Sequence, residues 1–134
     1  MSDIGHSTID TQLSQIVRLT ANLAQAAGTY DLGTVSGGGI LIEKTSIYVA
    51  TAGTLFTSVA IQTNQTNTTS ILTAAEGALA NIISQKVIPA AAANQPIYLA
   101  SGQKLQYVLV GLTGVGSLLV TVQYRPVDTG ARLA

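Results

Sequence analysis

The side chains able to carry acid, base or metal chemistry are few in this sequence, and they are scattered. The chain has six Asp and Glu residues, a single histidine, His6, and no cysteine. Asp31 and Glu43 lie on segments that can pair as strands and bring two carboxylates together, as glycoside hydrolysis requires, unless both are simply solvated charges on strands and loops. One histidine, with neither a second ligand nor an orienting partner, supports neither a zinc site nor a general base. We therefore predict no catalytic residue, no metal site, no cofactor and no enzymatic activity.

Two polar loops also invite a chemical interpretation. Ser36-Gly-Gly-Gly39 is rich in glycine like a phosphate-binding loop, but it lacks the Gly-Lys-Ser/Thr ending and the dinucleotide spacing, so we predict a hairpin loop. The run from Asn64 to Thr69 consists of Asn, Gln and Thr, whose amides and hydroxyls can grip a sugar. A sugar site also needs an aromatic platform, and the chain has one Phe and no Trp. Sugar binding through this loop stays open as an alternative.

Charged residues are sparse and balanced. They make up 9% of the 134 residues, against about a quarter in ordinary soluble domains, and six basic residues offset six acidic ones. Because the Lys and Arg residues are spread along the chain, with no tryptophan to stack on bases, we expect no nucleic-acid partner. A small neutral surface promotes association with copies of itself or with other proteins. We therefore expect an oligomer or a part of a larger assembly.

An uncharged stretch of 20 residues, Leu105 to Tyr124, must be largely buried. Each half shows the two-residue period of a strand. Between the halves, the segment Gly111 to Gly116 contains three glycines, which can supply the positive φ angles of a turn, so we predict a β-hairpin. A membrane-spanning helix is the rival interpretation of such a length. The β-branched and aromatic residues favour strands, and we expect no membrane partner.

Similar alternation upstream predicts strands over 17–24, 30–35, 40–49, 56–63 and 97–99. Thr73 and Glu76 have capping-box spacing, and the apolar residues after them recur at helical spacing, which predicts one short helix over about 74–85. The fold class that follows is all-β, a jelly-roll-like β-sandwich of about eight or nine strands with that one helix. We divide the chain into an N-terminal arm (1–16), a β-sandwich domain (17–126) and a C-terminal tail (127–134) that is free or lies on a neighbour.

Four strand-like segments carry a resemblance to a known family. They are Ala-Gly-Thr-Tyr-Asp-Leu-Gly-Thr (27–34), Leu-Phe-Thr-Ser-Val-Ala-Ile-Gln-Thr-Asn (55–64), Tyr-Leu-Ala-Ser-Gly-Gln-Lys-Leu-Gln-Tyr (98–107) and Val-Thr-Val-Gln-Tyr-Arg-Pro (120–126). Together they resemble small structural proteins of tailed bacteriophages, most closely the head decoration, or cement, proteins. The resemblance covers about residues 17–126 and contains no catalytic motif, and the segment before it matches no family pattern.

The resemblance implies a jelly-roll or related β-sandwich that assembles as a homotrimer on a capsid and braces neighbouring capsomers. The major capsid protein is then the expected partner, and the protein is made in the host cytoplasm and located on the capsid surface of the virion. We expect apolar side chains of the N-terminal arm to contact this partner, namely Ile4, Ile9, Leu13 and Ile16. The alternative is a phage tail or fibre module that binds a host surface glycan.

Overall fold

The computed structural model describes residues 13–89 and 96–134, and within these ranges the chain is nearly all β. The strands are β1 (Gln15–Asn22), β2 (Gly28–Ser36), β3 (Ile40–Thr63), β4 (Ser70–Leu72), β5 (Val87–Pro89), β6 (Ile97–Leu99), β7 (Lys104–Pro126) and β8 (Arg132–Leu133). The helical content of the described ranges is a single turn of 3-10 helix at Leu79–Asn81. None of the helical structure in those ranges is long and apolar enough to cross a membrane.

Two long strands organise the sheet. β3 has 24 residues and β7 has 23, and they pair antiparallel from the start of β3, opposite Pro126, to its end, opposite Leu105. In the middle the register shifts repeatedly, between Val49 and Ser58 of β3. Because such irregularities let a strand bend, the pair consists of two regular halves joined by a bend. The two separate strands predicted within β3 are therefore one.

The remaining strands attach to the two halves of this pair. In one half, β1 lies beside residues 117–124 of β7, while β5 and β6 lie on the other side, against β3. In the other half, β2 lies beside residues 104–109 of β7, and β4 pairs with the end of β3. β8 extends this second half by pairing with the end of β2. The long strands thus connect both halves of the sheet.

Among the described residues, one hydrophobic core joins the two halves. Buried side chains alternate with more exposed ones along β3 and β7, as the two-residue strand period requires. The core includes Ile47, Val49, Leu118 and Val120 from the first half and Val59, Ile61, Leu105 and Leu109 from the second. The predicted all-β, sandwich-type fold class is confirmed.

The hairpin predicted over 105–124 is wrong, because its two halves belong to one strand, β7, and both pair with β3 rather than with each other. The glycines assigned to its turn instead permit a close approach of two backbones. Gly111 and Gly116 have φ angles of 100° and 138°, and a Cβ on Gly114 would overlap the carbonyl oxygen of Thr54. The clustered glycines therefore correspond to a close approach of β7 to β3 and not to a turn that reverses the chain.

The short helix predicted over about 74–85 is also absent. Its capping-box contacts do form, since Thr73 N donates to Glu76 Oε1 (2.9 Å) and Glu76 N donates to Thr73 Oγ1 (3.2 Å). The backbone then turns to the sheet, where the Gly77 carbonyl accepts a hydrogen bond from Val59 N of β3 (2.9 Å). A Cβ on Gly77 would overlap the Val59 carbonyl oxygen. Pairing with β3 overrides the local helix propensity, and only the 3-10 turn remains.

The C-terminal segment 127–134, predicted to be free or to lie on a neighbour, belongs to the folded body of this chain. β8 pairs with β2, and Leu133 is buried in the core. The glycine loop at 37–39 packs against this segment, with Gly39 N donating to Asp128 Oδ2 (2.8 Å). Since β2 and β3 are not paired with each other in the described ranges, this loop is not the predicted hairpin loop.

Candidate functional site

Asp31, on β2, is held by two neighbours from β7. Lys104 Nζ donates to Asp31 Oδ2 at 2.7 Å, and Gln106 Nε2 donates to Asp31 Oδ1 at 3.2 Å. The hydrogen bond from Lys104, followed by that from Gln106, lowers the pKa of Asp31 below its ordinary value. The carboxylate is therefore ionised and paired across two adjacent strands.

Glu43, on β3, is held in a similar way at the other end of β7. Its carboxylate accepts a hydrogen bond from the hydroxyl of Ser14 and forms an ion pair with Arg125 (Nη2 to Oε2, 3.1 Å). Gln123 Nε2 also donates to it at 3.5 Å. The hydrogen bond from Ser14 is the largest of the contributions that lower the pKa of Glu43. Glu43 thus connects the start of β1, β3 and the end of β7.

The structure does not bring these two carboxylates together as a catalytic pair. Asp31 lies opposite Gln106 and Glu43 beside Gln123, near the two ends of β7, and no hydrogen-bond partner is shared between them in the described part of the chain. A glycosidase general acid needs a raised pKa, whereas both pKa values here are lowered.

His6 lies outside the described residues. Within 13–89 and 96–134, no three ionisable metal-binding residues form a group.

The polar loop at 64–69 is held in position by two of its amide side chains. Asn64 Oδ1 accepts a hydrogen bond from Lys104 N (2.8 Å), and Gln65 Nε2 donates to the Tyr98 carbonyl oxygen (2.6 Å). These contacts tie the loop to β7 and β6. Two of the three amide side chains of the loop, those of Asn64 and Gln65, are therefore engaged in structural hydrogen bonds, which weakens the glycan hypothesis for this loop.

Four exposed apolar side chains lie at the bend of the long strand pair. Leu55 of β3 and Val110, Leu112 and Val115 of β7 are 46–71% exposed. The register brings them to one region, since Val115 lies opposite Thr54, the residue before Leu55. We call these four residues the bend patch. Grouped apolar side chains on a protein surface mark an interaction site more often than isolated ones do.

The bend patch lies on an uncharged part of the sheet that a buried aromatic side chain anchors in the core. Leu55 has a φ angle of 72°, a conformation that costs a non-glycine residue about 1–2 kcal/mol and persists only where its surroundings enforce it. The next residue, Phe56, is 2% exposed and anchors this part of β3 in the core. Neither 45–75 nor 105–124 contains a charged residue. A partner therefore meets a preformed apolar surface without desolvating a charge on this part of the protein.

The apolar residues predicted to form a partner-contacting arm fall in different places. Leu13 and Ile16 are 56% and 67% exposed, and Ile16 lies within β1 rather than in a separate arm. Ile4 and Ile9 lie outside the described residues. The two described members of this set are accessible to a partner at the start of β1.

Sequence patterns did not identify the bend patch, although one signal for it was present. In the first part of β7, the odd-numbered residues Leu105, Tyr107 and Leu109 face the core. The even-numbered residues between and after them therefore face outward. Val110 and Leu112 are apolar residues that continue this even-numbered, outward-facing series. Because the sequence predicts a turn at 111–116, where side chains do not alternate between two faces, the outward position of Leu112 becomes evident only once the segment is seen to lie within β7.

Comparisons with known proteins identify no family. A scan of family models finds no match for the chain, and a search of curated proteins finds none either. Among solved structures, the chain is similar to the IMPa metallopeptidase from Pseudomonas aeruginosa, with 25% identity and a TM-score of 0.38, over 84% of this chain and 12% of that one. It is also similar to the VP2 subviral particle of infectious bursal disease virus, with 14% identity and a TM-score of 0.33, over 92% of this chain and 40% of that one. The chain spans less than half of either structure, and TM-scores of this size do not establish a shared fold.

Proposed function

We propose that this protein is a non-enzymatic structural component of a phage virion that decorates the capsid and stabilises it by binding the major capsid protein. The observation that carries the proposal is the bend patch, an exposed apolar surface on an uncharged part of the sheet. The strand segments that resemble head decoration proteins supply the virion context. The location that follows is the capsid surface, after synthesis in the host cytoplasm.

The physical mechanism is adhesion. Fully burying one Leu or Val side chain stabilises a contact by about 1.5–3 kcal/mol, so a few such side chains on each copy give a modest affinity. Repetition over a capsid multiplies this modest affinity, because each decoration contact must break before neighbouring capsid subunits separate. No reacting group is needed, and the ionised carboxylates Asp31 and Glu43 serve the fold through their ion pairs.

A homotrimer is part of the proposal. The chain has a formal charge of zero, so copies do not repel each other through their net charge. Assembly as a trimer would place several bend patches on one capsid site. The arm residues Ile4, Ile9, Leu13 and Ile16 are proposed to add contacts with the capsid, and exposed Leu13 and Ile16 are compatible with this role.

Particles that carry a bend-patch variant test the proposal. At a protein concentration near the dissociation constant of the unchanged protein, we expect Leu112→Ser with Val115→Ser to lower the amount bound per particle by at least about tenfold, since two buried apolar contacts are lost. The particles should then release DNA at the lower temperature of undecorated particles. Both quantities are measured on purified particles, by gel quantification and by a dye-based DNA release curve.

The matched control is Val87→Ser, which removes an apolar side chain of similar exposure, 61%, from β5, outside the bend patch. It should leave the amount bound and the DNA release temperature unchanged. The isolated variants should unfold at the same denaturant concentration as the unchanged protein. Full decoration by the bend-patch variant would contradict the assigned contact surface, and equal heat tolerance of decorated and undecorated particles would contradict the bracing role.

A further inference from the structure

The edges of the sheet differ in how well they are protected against pairing with another strand. β4, β5 and β6 have three residues each and β8 has two, so each is too short to template much pairing. β2 is longer, but its register is broken between Asp31 and Gly33, and β8 covers its end. β1 has eight residues in unbroken register with β7, and no strand in the described ranges pairs with its other side. β1 is therefore the long, regular open edge of the described structure.

Hydrogen-bond parity shows which backbone groups of β1 face this open edge. Leu23 N donates to the Gly116 carbonyl oxygen (2.9 Å). Because hydrogen-bonded and non-hydrogen-bonded pairs alternate along antiparallel strands, the odd-numbered residues of β1 are the ones whose backbone groups bond to β7. The N–H and C=O groups of Ile16, Arg18 and Thr20 then point away from β7. The following even position, Asn22, is covered, because its carbonyl accepts from Gln25 and its N–H lies 3.3 Å from the Tyr107 hydroxyl.

The side chains on this edge indicate the chemistry of an incoming strand. Arg18 is exposed on the outer face, and no acidic side chain pairs with it in the described part of the chain. Opposite charges on directly facing positions stabilise a strand pair, and like charges destabilise it. A second copy of β1 paired about a twofold axis at Arg18 would place two guanidinium groups opposite each other. The positive charge of Arg18 therefore disfavours pairing of β1 with β1 of a second copy and favours pairing with a strand that carries an acidic residue.

We propose that β1 is a β-augmentation site for an extended segment of another protein whose acidic side chain lies opposite Arg18, with an apolar residue opposite Ile16. The added strand satisfies the outward backbone groups of Ile16, Arg18 and Thr20, and the ion pair sets its register. This inference does not depend on the proposed capsid role, because it rests on the edge alone. The partner of β1 is then defined by an extended backbone and by an acidic side chain opposite Arg18.

The probe is the capped heptapeptide Thr-Val-Thr-Asp-Thr-Val-Thr, titrated into the isotope-labelled full-length chain and followed by amide resonances. We expect shifts that centre on the amides of Ile16, Arg18 and Thr20. The peptide with Lys in place of Asp should bind at least about fivefold more weakly, because an opposite-charge pair is exchanged for a like-charge pair. Arg18→Glu should reverse this preference, so that the Lys peptide binds more tightly than the Asp peptide.

Backbone variants separate edge pairing from other modes of binding. Thr20→Pro removes an N–H that faces away from β7, so the variant should stay folded and lose detectable peptide binding. Leu19→Pro removes an N–H that donates to β7 and should lower the unfolding midpoint strongly. Equal binding of the Asp and Lys peptides, or undiminished binding to Thr20→Pro, would overturn the inference. So would slow exchange of the three edge amides in the free protein, since the edge would then be occupied by this chain itself or, if the protection rises with concentration, by a second copy.

Discussion

Gly114→Ala is expected to destabilise the protein by about 3–5 kcal/mol, a large part of the roughly 5–15 kcal/mol by which a folded domain is usually stable. The added Cβ would overlap the Thr54 carbonyl oxygen and crowd Leu55. These are backbone and near-backbone atoms of a paired strand, so they cannot move aside without breaking the bend. The prediction follows from the close approach of β3 and β7, because a glycine at an exposed hairpin turn would tolerate alanine far better.

The matched control is Gly102→Ala. Gly102 has a φ angle of 89°, but nothing lies within 4 Å of where its Cβ would stand, so the substitution costs only backbone strain, about 1–2 kcal/mol. Urea unfolding followed by circular dichroism measures both variants against the unchanged protein. Similar losses in the two variants would show that Gly114 is not pressed against β3.

Phe56→Ala is expected to cost about 3–5 kcal/mol of unfolding free energy, as truncation of a buried aromatic residue to alanine usually does. Phe56 is 2% exposed, and a Cβ on Gly53 would overlap its ring, so the ring is closely packed beneath the bend. The substitution leaves a cavity at the point where the two halves of the sheet meet. Loss of this packing should also loosen Leu55, whose strained conformation depends on its surroundings.

Leu112→Ala serves as the control for Phe56→Ala. Leu112 is 71% exposed, so its truncation should change the unfolding free energy by less than about 0.5 kcal/mol. Denaturant midpoints and slopes for both variants give the comparison. A large loss for Leu112→Ala would mean that this side chain is packed in the isolated protein, and the bend patch would then lose its central member.

Alternation of apolar and polar residues predicted most of the strands correctly. In the second half of the uncharged stretch, the two-residue period predicts that Leu118, Val120 and Val122 share one face of a strand, and all three are buried. The period of two depends on local geometry alone, so it can be identified without knowing which strand lies alongside. The same is true of the capping box, whose contacts between Thr73 and Glu76 form as expected.

Strand partners could not be predicted in the same way, because pairing is decided by residues far apart in the chain. The glycines around Gly114 are compatible with a tight turn and with a close crossing of two strands, and only the presence of Thr54 alongside selects the second. Gly77 presents the same ambiguity, since the sheet competes with the helix for its backbone groups. Local patterns therefore predict where strands form, whereas contacts between distant parts of the chain decide where each strand ends and with which strand it pairs.

The candidate interaction surface was missed for the same reason. Exposure of Leu55, Leu112 and Val115 follows from the bend, and the bend follows from pairing between β3 and β7. The sequence predicts that Asp31 and Glu43 are the two carboxylates able to approach each other, but their separate ion pairs depend on which end of β7 each one meets.

Cross-strand nuclear Overhauser effects in the labelled protein test the central claim most directly. If β3 and β7 are one continuous bent pair, backbone contacts should join Leu118 to Val49 and Leu109 to Val59, on the two sides of the bend. Backbone contacts between Leu109 and Leu118 across a turn at 111–116 would instead show a hairpin. That result would remove the bend and, with it, the surface proposed to hold the protein on its partner.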